Sequence, residues 1–332
     1  MNKLLLLLGL LLLSLAASLA WVYNEYEGFL NHPLHVQEQG RVVDIQRGSS
    51  YAAMVDQLIS AGISQQRWPW RLLQRIQPQV IQAGEYHLES GMTPQMWLQR
   101  LSKGDVVRYS FTIIEGWRAA DLLTSLQADQ RLIQTLDTGT QQDLAKSLGI
   151  EDNSIEGWFL PETYSFVRGD SDFDILKQAY QSMQDKLAYN WEGKADDLPL
   201  ANPYEMLILA SIVEKETSLA AERPDVAGVF VRRLLKKMRL QTDPTVIYGL
   251  GDAYDGDIRS KDLRTDTPYN TYTRFGLPPT PIALPGEASL VAVSRPATGK
   301  ALYFVANGSG GHTFSDTYAE HNKAVQQMLK RK

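Results

Sequence analysis

Two carboxylates close the segment Ala210-Ser-Ile-Val-Glu-Lys-Glu-Thr217, and a second polar stretch follows as Arg239-Leu-Gln-Thr-Asp-Pro-Thr-Val-Ile-Tyr-Gly249. The first can set a carboxyl group on an apolar helix wall. The second offers hydroxyl and amide side chains able to hydrogen-bond a sugar. A carboxyl on such a wall is the minimum equipment for general acid catalysis at a glycosidic bond.

Pro203 suits a first helical position, and neither Gly nor Pro follows before Thr217, so this segment is expected to be helical. At about 100° per residue, Met206, Leu209, Ala210 and Val213 share one face, and Glu216 extends it. Glu214 points roughly 100° away from that stripe. Glu216 is therefore the expected acid, its pKa raised by desolvation, while Glu214 orients a neighbour or stays in water. An ordinary solvated helix end would carry the same residues.

The rest of the chain must position these groups. Its 332 residues, 44% hydrophobic and 21% charged, suit one or two domains with sizeable cores. A net charge of −5 leaves no basic footprint, so nucleic acid is not an expected partner. Between Lys3 and Glu25 no side chain is charged, and Leu4–Tyr23 is long enough to cross a bilayer. Lys3 would keep the amino terminus in the cytoplasm and send the remainder outward. Ser18-Leu19-Ala20 also fits the cleavage site of an exported leader, as does the leucine-rich core, whereas the length favours a retained anchor. Both readings export the domain. The absence of cysteine excludes a lipoprotein, a disulfide scaffold and a thiol enzyme.

After a polar linker, three stretches repeat one layout: Val43-Asp-Ile-Gln-Arg-Gly48, Tyr86-His-Leu-Glu-Ser-Gly91 and Phe111-Thr-Ile-Ile-Glu-Gly116. Apolar residues alternate before each glycine and recur at helical spacing after it (Met54, Val55, Leu58; Trp97, Leu98, Leu101; Leu122, Leu123, Leu126), which predicts strand–turn–helix units. The first two enclose a further helix, Trp68–Ile76, an arrangement that resembles the small glycan-binding LysM module. Trp68-Pro-Trp70 is expected in its core rather than stacked on sugar.

Farther on, Glu156-Gly-Trp-Phe-Leu-Pro-Glu-Thr-Tyr164 is a turn-rich aromatic cluster, and helices are expected over Asp172–Trp191 and from Pro224. Arg232, Arg233, Lys236 and Lys237 read as a solvated basic face. The Pro-punctuated residues 267–286 read as an ordered loop lining a cleft, Ala301–Val305 as a buried strand, and Gly308–Phe314 as a turn into another strand. The five histidines are scattered, so no metal site is expected. Ser309 lacks the nucleophile-elbow pattern, and no phosphate loop or dinucleotide fingerprint is present.

Taken together, Ile155-Glu-Gly-Trp-Phe, Ala210–Thr217, Met238–Gly249, Tyr269-Asn-Thr-Tyr272, Gly276-Leu-Pro-Pro and Gly311-His-Thr-Phe314 closely resemble the YceG-like endolytic murein transglycosylases over essentially the whole chain. The resemblance implies an α+β protein: a cytoplasmic tip and transmembrane helix (1–23), a linker (24–40), a LysM-like module (41–107) and a catalytic domain (108–332). It maps the family's acid/base onto Glu216, and implies cleavage of MurNAc–GlcNAc β-1,4 bonds inside glycan strands to leave 1,6-anhydro-MurNAc ends. No cofactor is implied. Gln241, Thr242, Tyr269, Asn270, Tyr272 and Glu214 are the candidate substrate contacts, each equally able to fix a loop. The implied partners are peptidoglycan strands and the peptidoglycan synthases, and the implied location is the inner membrane, single-pass, with the catalytic domain periplasmic. A hydrolytic muramidase using Asp243 or Glu214 as second carboxylate, and a non-catalytic glycan-binding scaffold, are the alternatives.

Overall fold

The computed structural model describes residues 2–136, 140–151 and 154–330. It divides into two compact units, residues 1–109 with 166–169, and residues 110–165 with 170–332.

The first unit begins with α1 (Asn2–Asn31), whose leucines from Leu4 to Leu19 are exposed and which is long and apolar enough to cross a membrane. The helix runs on into the expected linker, where Tyr26 and Leu34 join a core instead of trailing in water. Strand β1 (Arg41–Ile45) is followed by α2 (Tyr51–Ser60), α3 (Trp68–Ile76), β2 (Gly84–Leu88), α4 (Pro94–Lys103) and β3 (Arg108–Thr112). β1 and β2 pair antiparallel, from Arg41 opposite Leu88 to Ile45 opposite Gly84, with α2 and α3 between them in sequence. Alternation buries Val43, Ile45, Tyr86 and Leu88 against Trp70, Leu73 and Trp97. Burial of each such side chain contributes about 1.5–3 kcal/mol. Trp70 is fully enclosed and donates its indole N–H to Ser64 at 2.9 Å, as expected of a core residue.

The repeated layout is real in three dimensions. Gly48, Gly91 and Gly116 all adopt positive φ (83°, 85° and 76°), a turn that residues with a Cβ resist. Ser50 and Thr93 then cap the helices that follow the first two, accepting from Ala53 and Met96 N–H.

The second unit contains α5 (Ala119–Ala128), α6 (Gln141–Leu148), β4 (Thr163–Val167), α7 (Asp172–Glu192), α8 (Pro203–Glu216), α9 (Arg223–Leu235), α10 (Asp243–Leu250), α11 (Ser260–Arg264), α12 (Glu287–Ser294), β5 (Tyr303–Ala306), β6 (His312–Ser315) and α13 (Tyr318–Leu329). β5 pairs with β6 as an antiparallel hairpin. The centre is α8, started by Pro203 and by Asn202, whose side chain accepts from Glu205 N–H at 3.0 Å. It packs against α7, α9, α10 and α12, so every residue from Met206 to Glu214 is buried. The one-sided stripe expected from spacing is therefore a helix enclosed all round, as helices apolar on most sides are.

Pro244 sits in the first turn of α10, which buries Thr245 and Val246. Two further expectations are corrected. Strand β5 is half-buried rather than buried, since it belongs to a two-stranded hairpin. Arg232 and Arg233 are not on a solvated face: Arg232 donates to Ala297 O and Ala301 O, and Arg233 to Leu302 O and Leu240 O.

Candidate active site

Glu216 is the last residue of α8, where the helix emerges from the core into a cavity of about 250 Å³. Around it stand Arg233 from α9, Gln241 and Asp243 at the entry to α10, Tyr272 from the long loop, Phe304 from β5 and His312 from β6. A carboxyl at a buried helix end keeps contact with solvent only through such an opening.

Burial pushes the Glu216 carboxyl up to about 7 from its ordinary 4.5, and the Asp243 charge pushes the same way. Opposing them are the Thr242 hydroxyl, which donates to Glu216 Oε1, and the charge of Arg233. The balance leaves an acid protonated near neutrality and able to lose its proton, the property required of a general acid that must afterwards act as base. Thr242 is itself held in place: its N–H donates to Thr271 Oγ1 at 3.1 Å, and its carbonyl accepts from Thr245 Oγ1 at 2.8 Å. Gln241, just before it, has φ 51°, a left-handed conformation uncommon for a residue with a Cβ, as found where side chains are aimed at a site.

The expected contact residues divide into two groups. Gln241, Thr242 and Tyr272 gather at Glu216: Gln241 and Tyr272 line the cavity, Thr242 bonds the acid, and the Tyr272 hydroxyl donates to Asp243. Asn270, Tyr269 and Glu214 do not line it. Asn270 is buried and donates to the carbonyls of Asp262, Leu263 and Thr265 at 3.1, 3.2 and 2.6 Å, fixing the loop. Tyr269 shares a hydrogen bond with Thr280 and an edge contact with Tyr248. Glu214 is neither solvated nor in the cavity; it forms a buried ion pair with Arg223 at 3.0 Å.

Spacing alone missed Arg233 and His312. Arg233 is 8% exposed and was hidden in a run of basic residues; Phe230 and Leu234 beside it were the available signal. His312 belongs to the Gly311-His-Thr-Phe314 motif but lay among scattered histidines. Among the described residues, no group of three or more His, Asp or Glu is placed to hold a metal ion.

The profile of the YceG-like family matches residues 43–327. This chain belongs to the YceG-like family. An endolytic murein transglycosylase of Bacillus subtilis is 34% identical over 274 residues, covering 76% of this chain and 74% of that protein. One of Streptococcus pneumoniae is 28% identical over 286 residues, covering 76% of this chain, which spans only 51% of that relative's length. A crystal structure of a yceG-like protein from Listeria monocytogenes superposes with a TM-score of 0.52 at 28% identity, covering 86% of this chain and 99% of that one.

A second buried carboxyl, Glu156, lies away from the cavity. Its oxygens accept Ala119 N–H at 2.9 Å and Tyr248 O–H at 3.1 Å, and burial pushes its carboxyl up to about 7. A carboxyl whose folded pKa lies above its unfolded value contributes stability at low pH. That stability is lost as pH rises from the ordinary carboxyl range through 7. Glu156→Gln keeps the shape and removes the titration. Its melting temperature is expected to rise relative to the parent between about pH 5 and 8; a difference that does not change with pH would refute the assignment.

Proposed function

We propose that this protein is an endolytic murein lytic transglycosylase with Glu216 as its single acid/base. The observation that carries the reading is a carboxyl raised to about 7 at the open end of an otherwise buried helix, in a chain of this family. Protonated Glu216 donates to the glycosidic oxygen between MurNAc and GlcNAc as the bond to C1 breaks. The resulting carboxylate takes the proton of the C6 hydroxyl of the same MurNAc, whose oxygen closes on C1. The nucleophile is intramolecular, so proximity supplies much of the rate and no activated water is needed. Thr242 holds the carboxyl in register, and Gln241 and Tyr272 contact the sugar or the developing charge.

In the same reading α1 anchors the protein in the inner membrane with the catalytic unit outside. The first unit acts as a LysM-like glycan-binding module, and cleavage beside the peptidoglycan synthases ends strand growth. Asp243, in the same cavity, favours a hydrolytic muramidase as the second reading, with two carboxylates and an attacking water. Mass spectrometry of the products from purified murein glycan separates them. Anhydro ends are expected; reducing ends, heavier by one water and labelled from heavy-oxygen water, would replace the transglycosylase with the hydrolase.

A further inference from the structure

The cavity holds a histidine that the single-carboxylate mechanism leaves unused. His312 Nδ1 lies 2.7 Å from Glu222 Oε2, and its backbone N–H donates to Glu222 Oε1 at 2.9 Å, so one carboxylate grips both the ring and the chain behind it. Burial works against the Glu222 charge, but the His312 bonds outweigh it and hold that carboxyl below its ordinary range. An ionised carboxylate only accepts, so Nδ1 carries the shared hydrogen. The ring is fixed from a second side by Phe304, which meets it edge-on at 5.3 Å and 87°. Among the described residues Nε2 has no hydrogen-bond partner, and the imidazole lines the cavity that contains Glu216. Gly311 completes the arrangement: a Cβ there would lie 2.4 Å from Glu222 Oε1. The Gly-His pair of the motif thus admits the carboxylate and presents the ring.

We propose that His312 is a substrate-contacting residue whose Nε2 accepts a hydrogen bond from a hydroxyl of the amino sugar beside Glu216, and that Glu222 is the positioning residue that fixes its tautomer and direction. Carboxylate–imidazole pairs set which ring nitrogen is free in just this way. The proposal rests on the glycan-cleaving reading of the cavity but adds a group to it. It also gives Glu222, which belongs to no motif of the sequence, a function through another residue.

Two amides separate the roles of the two ring nitrogens. In His312→Asn the amide nitrogen takes the place of Nδ1 and keeps the Glu222 bond, but nothing reaches the sugar. In His312→Gln the amide reaches the Nε2 position. With full-length protein in detergent and soluble murein glycan oligomers, His312→Asn is expected to melt like the parent and to lose at least about tenfold in kcat/KM. His312→Gln is expected to recover part of that loss. Parent-like kcat/KM in His312→Asn would overturn the proposal, because the Glu222 contact alone would then suffice.

A binding measurement keeps the test independent of catalysis. In ¹⁵N-histidine-labelled Glu216→Gln protein, saturating glycan oligomer is expected to shift the His312 Nε2 resonance, and in a Glu222→Ala background that shift is expected to shrink. An unmoved Nε2 resonance at saturation would overturn the proposal whatever the variants' stability. Hydrolytic products together with a moving resonance would displace the transglycosylase reading and leave the histidine assignment standing.

Discussion

Glu216→Gln is expected to abolish glycan cleavage, by at least about 10²–10⁴-fold, while the fold stays intact. Gln keeps an oxygen for the Thr242 hydroxyl and loses only the transferable proton. The parent's pH profile should carry the same signature. Its acid is active when protonated, and burial sets the carboxyl near 7, so the rate is expected to fall as pH rises through about 7. Stability follows the matching sign. The raised folded pKa favours the native state at low pH, and this contribution is lost as pH rises from 4.5 toward 7, so Glu216→Gln should gain stability relative to the parent above 7. Turnover near that of the parent in Glu216→Gln, with Glu214→Gln inactive, would reverse the roles of the two glutamates.

How much of this was legible beforehand depends on the kind of interaction. Strand–turn–helix units announce themselves because alternation and helical spacing are local, and the glycines that end β1 and β2 sit where a positive φ is required. The helix carrying Glu216 was equally clear from Pro203 and the apolar spacing. What spacing could not supply was the number of neighbours. A stripe of four apolar residues looks the same on a surface helix as on one packed against α7, α9, α10 and α12, so spacing leaves Glu214 either orienting a neighbour or in water, and the structure buries it. The same blindness hid Arg233: charge density along a chain says nothing of the carbonyls of Leu302 and Leu240 that receive its guanidinium. Tyr269-Asn-Thr-Tyr272 shows a third limit. Alternate residues of one motif serve different ends, Asn270 tying the loop and Tyr272 facing the cavity, and no residue-type rule separates them.

The largest stability effect is expected from Arg223, the cation that accompanies Glu214. Its Nη2 donates to Glu214 Oε1 and to Glu115 Oε2, both at 3.0 Å. Side-chain exposure is 7% for Arg223, 4% for Glu214 and 46% for Glu115, so the strong pair is the first and the second is half in water. Glu214 Oε2 meanwhile accepts Gly286 N–H at 3.0 Å and Ser289 Oγ–H at 2.7 Å, binding α8 to the start of α12. Arg223→Met leaves this carboxylate in the core with two neutral donors and no counter-charge, a loss of about 3–5 kcal/mol for a broken buried pair. Removing the charge as well, in Arg223→Met with Glu214→Gln, should recover much of it, because the loss comes from the stranded ion rather than from the pair's own attraction. Urea unfolding of the three variants measures both quantities. A loss under about 1 kcal/mol in Arg223→Met, the value ordinary for exposed pairs, would show that Glu214 finds water when its partner is gone. The consequence for catalysis is positional. Glu214 lies one turn-half before Glu216 on α8, so the ion pair that closes the core also sets where the acid emerges, and Arg223→Met is expected to lower kcat more than it raises KM.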